Sequence, residues 1–176
     1  MTTTTIMSTD VITLNADDSI ANALKIMCKH TVHNLPVVDK EGTFLGLFTL
    51  RRLSRELLPT AAKLNEDNLL MHINFMPDGT DEVLQRLNDI GQQPVSSLLE
   101  KSSTLRFCHP DTKLPELLQL LFESPTSLPV LVLEGKKKKL VGMVSNWDIL
   151  TKLTINLLGE KNCSSSTDTL NNKHKQ

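Results

Sequence analysis

The chain has no tyrosine and a single tryptophan, and aromatic residues make up only 3% of it. Proteins that hold single-stranded nucleic acid stack its bases on aromatic side chains, so this composition argues against that class. Charge does not compensate. Nineteen Lys and Arg against 20 Asp and Glu leave a formal net charge of -1, with no general attraction to nucleic acid or to an anionic membrane. Cysteine is scarce and odd in number: Cys28, Cys108 and Cys163 lie far apart with no CxxC pair. That sets aside a disulfide framework and a zinc site and predicts reduced thiols in a cytoplasmic protein. No apolar run reaches the roughly 20 residues of a membrane span. Met1-Thr2-Thr3-Thr4-Thr5 lacks the basic and apolar regions of a signal peptide. Catalytic signatures are missing as well. There is no P-loop, HExxH or GxSxG, and no cysteine with a His and Asp relay at suggestive spacing. The expectation is a protein that is not an enzyme and holds no metal.

What the sequence does contain is a repeat. Leu35-Pro36-Val37-Val38-Asp39 returns as Leu128-Pro129-Val130-Leu131-Val132, and Gly46-Leu47-Phe48-Thr49 returns as Gly142-Met143-Val144-Ser145. The offsets, 129 − 36 = 93 and 142 − 46 = 96, agree within one short hairpin insertion. Two anchors in one order and at nearly one spacing identify a supersecondary unit used twice.

Each copy reads as strand, helix, strand, strand, helix. In the first, Val11 to Leu14 is short and β-branched, as strands are. Asp17, Asp18 and Ser19 can cap a helix with apolar Ile20, Ala23, Leu24 and Met27. Leu35 to Val38 and Phe44 to Thr49 flank a turn at Lys40-Glu41-Gly42, and Arg51 to Leu58 is a helix stopped by Pro59. In the second, Thr104 to Cys108 is the first strand, and Asp111 or Thr112 caps a helix from Lys113 to Glu123. The hairpin is Leu128 to Leu133 with Leu140 to Ser145, and Asp148 to Leu158 closes the unit before Gly159. Lys136 to Lys139 fall at the hairpin turn, where a solvated tip is the simplest reading. The predicted organisation is a first unit over 1–58, a partly ordered insert over 59–94 with a helix near 81–90, a second unit over 95–158 and a disordered polar tail over 159–176.

The doubled set of Leu-Pro-Val-Val-Asp followed by Gly-x-x-Thr or Gly-x-x-Ser resembles the cystathionine β-synthase domain, or CBS domain, in tandem as a Bateman module. The likeness implies an α/β (α+β) fold of two CBS units packed about a pseudo-twofold axis. It also implies clefts that bind an adenosine-containing ligand: AMP, ADP, ATP or S-adenosylmethionine. The family pocket uses a Ser or Thr and an Asp spaced Ser/Thr-x-x-Asp after the third strand. Ser145 and Asp148 match that spacing in the second unit. A carboxylate there accepts hydrogen bonds from both ribose hydroxyls, and the helix N-terminus favours phosphate.

Leu105, Phe107 and Leu128 stand at family-like positions for the apolar walls around adenine. The first unit departs from the pattern: Thr49 is in place, but Arg52 stands where the Asp belongs. Arginine only donates and cannot accept from ribose, so one nucleotide site is expected, not two. Arg51 and His33 lie where related regulators place phosphate-binding cations. Asp148 also has a plain reading as a helix cap. The resemblance implies a homodimer, through helix faces bearing Leu24 and Met27 or Leu117, Leu118 and Leu121, and a regulated protein partner of unknown identity. The alternative from another class is a ligand-independent dimerisation or docking module.

Overall fold

The computed structural model of the chain describes residues 1–58, 80–124 and 128–158. Most of the insert, including Met71 to Met76, lies outside the described residues, as do Pro125 and the tail from Gly159. The first repeat runs β1 (Leu14–Asn15), α1 (Ile20–His30), β2 (Asn34–Val38), β3 (Phe44–Thr49) and α2 (Leu50–Leu57), with sheet order β1-β2-β3. Helix α3 (Thr80–Gly91) follows. The second repeat runs β4 (Arg106–Cys108), α4 (Leu114–Phe122), β5 (Val130–Glu134), β6 (Lys139–Val144) and α5 (Asn146–Leu158), with order β4-β5-β6. Strand β4 is parallel to β5, as a helical crossover requires, and β5 is antiparallel to β6.

Local chemistry sets the element ends. Ser19 Oγ accepts from the Asn22 N–H at 3.2 Å and starts α1, which stops at Thr31 in the left-handed region. The predicted cap of α4 by Asp111 or Thr112 does not form. Lys113 is the residue at the helix start, without a side-chain bond, because Thr112 Oγ1 instead accepts from the His109 N–H at 3.0 Å and closes the preceding turn. At the β2–β3 turn, Asp39 Oδ1 accepts from the Thr43 and Glu41 N–H groups at 2.8 and 2.9 Å. The Thr43 bond is the main cause holding that carboxyl below its usual value. Gly42 supplies φ +80° in this turn.

The chain forms two compact units that do not follow chain order. One comprises 1–13, 38–44 and 101–176; the other comprises 14–37 and 45–100. Each repeat is thus completed by the segment that precedes the other. With the second repeat, Ile6 joins the core of Leu117, Leu121, Val130, Val132, Val144 and Ile149. Burying one such side chain is worth about 1.5–3 kcal/mol. The backbone of 1–13 is tied down too: the Thr3 N–H donates to the Thr112 carbonyl at 2.9 Å, and Ser8 and Met143 exchange N–H···O bonds of 2.9 and 3.1 Å. With the first repeat, Val95 and Leu98 are buried, the Val95 N–H donates to the Asp18 carbonyl at 2.8 Å, and the Glu100 N–H donates to the Leu47 carbonyl at 2.8 Å. The tip of the β2–β3 hairpin belongs to the second repeat's unit. There Lys137 pairs with Glu41 at 2.9 Å, and the Phe44 N–H donates to the Lys138 carbonyl, so the lysine run flanks a paired edge.

These crossings explain the motif glycines. A Cβ on Gly142 would stand 2.9 Å from Met7 Sδ and 3.0 Å from the Ser8 carbonyl oxygen; on Gly46 it would stand 2.5 Å from Leu99 Cδ1. The helix faces expected to pair two copies turn out otherwise. Met27, Leu117 and Leu121 are buried within their own units, because positions four apart on α1 and α4 face the sheets. Exposed apolar surface lies instead at Phe122 (92%), Trp147 (55%), Leu150 (52%) and Leu157 (84%), with Leu118 beside them on α4.

Two outcomes are expected by urea denaturation. Gly142→Ala should lose about 1–3 kcal/mol and Gly46→Ala less, because the obstacle at Gly142 includes backbone and that at Gly46 is a leucine tip that can rotate. Equal losses would contradict the crossing argument. Thr49→Val should lose about 2 kcal/mol, because the Thr49 hydroxyl donates at 2.6 Å to the Glu100 carboxylate, which is 9% exposed. Thr49→Ser should restore most of the loss.

Candidate functional site

Ser145 ends the β6 turn and Asp148 sits in the first turn of α5. They form a reciprocal cap. Asp148 Oδ2 accepts from the Ser145 N–H at 2.6 Å and from the Ser145 hydroxyl at 2.5 Å, and the Asp148 N–H donates to Ser145 Oγ at 3.3 Å. This is a capping box, in which a hydroxyl and a carboxylate three residues apart each satisfy the other's backbone N–H. One carboxylate oxygen is therefore committed to the helix start. The other, Oδ1, faces the N-terminal segment and accepts from the Ser8 hydroxyl at 2.7 Å.

Asp148 borders a groove of about 290 Å³. One wall is Thr5 and Ile6; the other is α5, with Trp147, Thr151, Lys152 and Ile155. Thr151, Lys152 and Ile155 follow Asp148 at spacings of three, four and seven, the signature of one helix face. That spacing was available in the sequence, whereas the facing wall from residues 5–6 was not, since it comes from the other end of the chain. The groove joins a carboxylate, an ammonium, hydroxyls and an aromatic face.

The other candidate residues are placed as follows. Leu105 and Leu128 are buried, at 5% and 4% exposure. Phe107, on β4, keeps an exposed face and meets Phe44 edge to face, with ring centroids 5.8 Å apart. None of the three lines the Asp148 groove. In the first repeat, Arg51 and His33 are both exposed, and the Leu50 N–H donates to the His33 carbonyl at 2.9 Å.

The first repeat carries a groove at the matching place, about 270 Å³, where Arg52 and Glu56 face Ser97 and Leu98. Its charges are reversed along the helix: Arg52 stands for Asp148 and Glu56 for Lys152. Thr49 Oγ1 still caps α2 by accepting from the Arg52 N–H at 3.0 Å. Arg52 cannot return the bond. Its guanidinium pairs with Glu56 at 3.5 Å, and its buried Nε has no acceptor among the described residues. The carboxylate of this corner is Glu100, supplied by the crossing segment and held on Thr49.

No helix among the described residues is long and apolar enough to cross a membrane. Comparison with known proteins agrees with the geometry. The family model for the CBS domain matches twice, over residues 4–59 and 95–155. A CBS domain-containing protein of Dictyostelium discoideum is 30% identical over 149 residues, which cover 84% of this chain and 88% of that one. Among solved structures, CBSX2 in complex with AMP superimposes with a TM-score of 0.61 at 17% identity, covering 89% of this chain and 98% of that one; CBSX2 is a CBS-pair protein from Arabidopsis thaliana. The CBS domain pair of protein MJ0100, in complex with 5-methylthioadenosine and S-adenosyl-L-methionine, gives 0.55 at 19% identity, covering 90% and 96%. Two matched repeats of strand, helix, strand, strand and helix, each with its glycine crossing and hydroxyl cap, place this chain in the CBS domain family as a tandem pair.

Proposed function

We propose that this CBS pair is a regulatory module of the cytoplasm that senses an adenosine-containing nucleotide through the second repeat's groove and modulates a protein partner, without catalysing a reaction itself. The observation that carries the reading is the Asp148 carboxylate, which borders the groove and has one oxygen, Oδ1, outside the helix cap. Ribose hydroxyls are donors matched to such an oxygen. Because Oδ2 belongs to the cap, Oδ1 alone receives them. Lys152 and Thr151, one turn further along α5, are suited to a phosphate, and Trp147 offers a flat apolar face for a base. The groove, about 290 Å³, is close to the lower bound of ligand sites, roughly 300 Å³. Structural neighbours solved with AMP and with S-adenosyl-L-methionine support the ligand class. In the first repeat's groove Arg52 stands in place of the Asp, and the carboxylate on that helix, Glu56, is paired with Arg52 at 3.5 Å. Ligand acts by binding one arrangement of the protein better than another.

Isothermal titration of nucleotide-free protein with AMP, ADP, ATP and S-adenosylmethionine tests the reading; no heat with any of them sinks it. Asp148→Ala should weaken AMP binding roughly tenfold or more and lower stability by about 1 kcal/mol through the lost cap, while leaving the fold intact.

A second reading, ligand-independent homodimerisation, is favoured by the exposed Phe122, Trp147, Leu150 and Leu157. A surface of this kind marks an interface more often than free surface. Leu150→Asp with Leu157→Asp should convert a dimer to a monomer in light scattering. A dimer that ignores nucleotide, in a protein that binds none, decides for this reading.

A further inference from the structure

We propose that Ser8 is a built-in competitor for the outward oxygen of Asp148, and that it sets the affinity of the second repeat's groove for ligands that present a vicinal diol. The inference rests on the nucleotide reading above and assigns Ser8 a role in regulating that site. The Ser8 hydroxyl donates to Asp148 Oδ1 at 2.7 Å. It is thus the proton donor on the one oxygen that the helix cap leaves available. A ribose hydroxyl reaching Oδ1 makes the same kind of bond, so binding exchanges one hydroxyl for another.

The delivery of Ser8 does not depend on its side chain. The two N–H···O bonds it exchanges with Met143 are backbone bonds of 2.9 and 3.1 Å. They hold the residue against β6. The hydroxyl is neutral and exposed, so releasing it to solvent costs little.

The first repeat shows what a non-displaceable version looks like. There the residue at the matching crossing, whose N–H donates to the Leu47 carbonyl as that of Ser8 does to Met143, is Glu100. Its carboxylate is 9% exposed and locked on Thr49 at 2.6 Å. The crossing segment therefore helps decide which repeat can open to a ligand: a serine can be exchanged, and a buried glutamate cannot.

The test is isothermal titration of the full chain, as wild type, Ser8→Ala and Ser8→Thr, with AMP and with 2′,3′-dideoxyadenosine monophosphate. Ser8→Ala should bind AMP roughly two- to tenfold more tightly, the worth of one hydrogen bond. Ser8→Thr keeps the competing hydroxyl and should stay within about twofold of wild type. The gain should vanish with the dideoxy ligand, which has no hydroxyl to take the vacated oxygen. Weaker or unchanged AMP binding by Ser8→Ala, or an equal gain with the dideoxy ligand, overturns the role of Ser8 while leaving the nucleotide reading standing. AMP binding to none of the three proteins overturns that reading and this inference with it. Thermal melts of the variants show whether the N-terminal segment stays docked, as its backbone bonds predict.

Discussion

The constraint on which both sites depend is the close passage of a crossing segment over the last strand of each sheet. At Gly142 the backbone of Ser8 comes so near that a single Cβ would stand 3.0 Å from its carbonyl oxygen. At Gly46 the side chain of Leu99 leaves still less room. Neither glycine is needed for an unusual backbone angle, since the positive-φ glycines are Gly42 and Gly135. At Gly142 the glycine is needed because bulk would push the segment's backbone away, and the bonds to Met143 and the polar side chain that the segment delivers to the helix cap would be lost with it; at Gly46 the obstacle is the Leu99 side chain. Packing density, rather than turn geometry, is what makes glycine part of the motif.

From that crossing the two repeats diverge by moving one carboxylate. In the second repeat it lies on the helix, at Asp148, and the segment brings a hydroxyl. In the first it lies on the segment, at Glu100, and the helix brings Arg52. Both corners keep a hydroxyl–carboxylate hydrogen bond and a capped helix, so both are stable. They differ in where the acceptor faces. Asp148 reaches a groove, whereas Glu100 is enclosed. A duplicated unit can thus keep its fold on both sides while its two grooves differ in charge, because the residues that satisfy the backbone are only partly those that meet the groove.

How far the chain could be read from sequence follows from the range of the interactions involved. The repeat, the order of its elements and the Ser145–Asp148 pair were legible because they depend on neighbours within a few residues: alternation, a turn glycine, a hydroxyl three positions before a carboxylate. The cap of α4 was misread for a local reason, since Thr112 had two possible backbone partners and took the earlier turn. The role of 1–13 was not legible. It packs on residues more than 100 positions away, and nothing in Thr2-Thr3-Thr4-Thr5 announces a buried Thr3 or a core Ile6. The helix faces were legible only in part, with Leu118 exposed and Leu24 half-buried, because an apolar stripe shows that a side is buried but not what buries it. Met27, Leu117 and Leu121 proved to be core, and the exposed Trp147 and Leu150 lie beside residues that serve the groove.

The capping box also changes what Ser-x-x-Asp means as a motif. Read along the chain, the cap and the ligand site compete as explanations of Asp148. In three dimensions they use different oxygens of one carboxylate: Oδ2 is bound by Ser145 and Oδ1 is turned outward. The cap fixes the direction in which Oδ1 points, so on the proposed reading the structural role would prepare the functional one. A flexible side chain would have to lose rotamer freedom each time a ligand arrived. Asp148 has already lost it to the helix. The entropy of holding the carboxylate is borne by folding, and on the proposed reading what would remain for a ligand is an exchange of hydroxyls at an oxygen already in place.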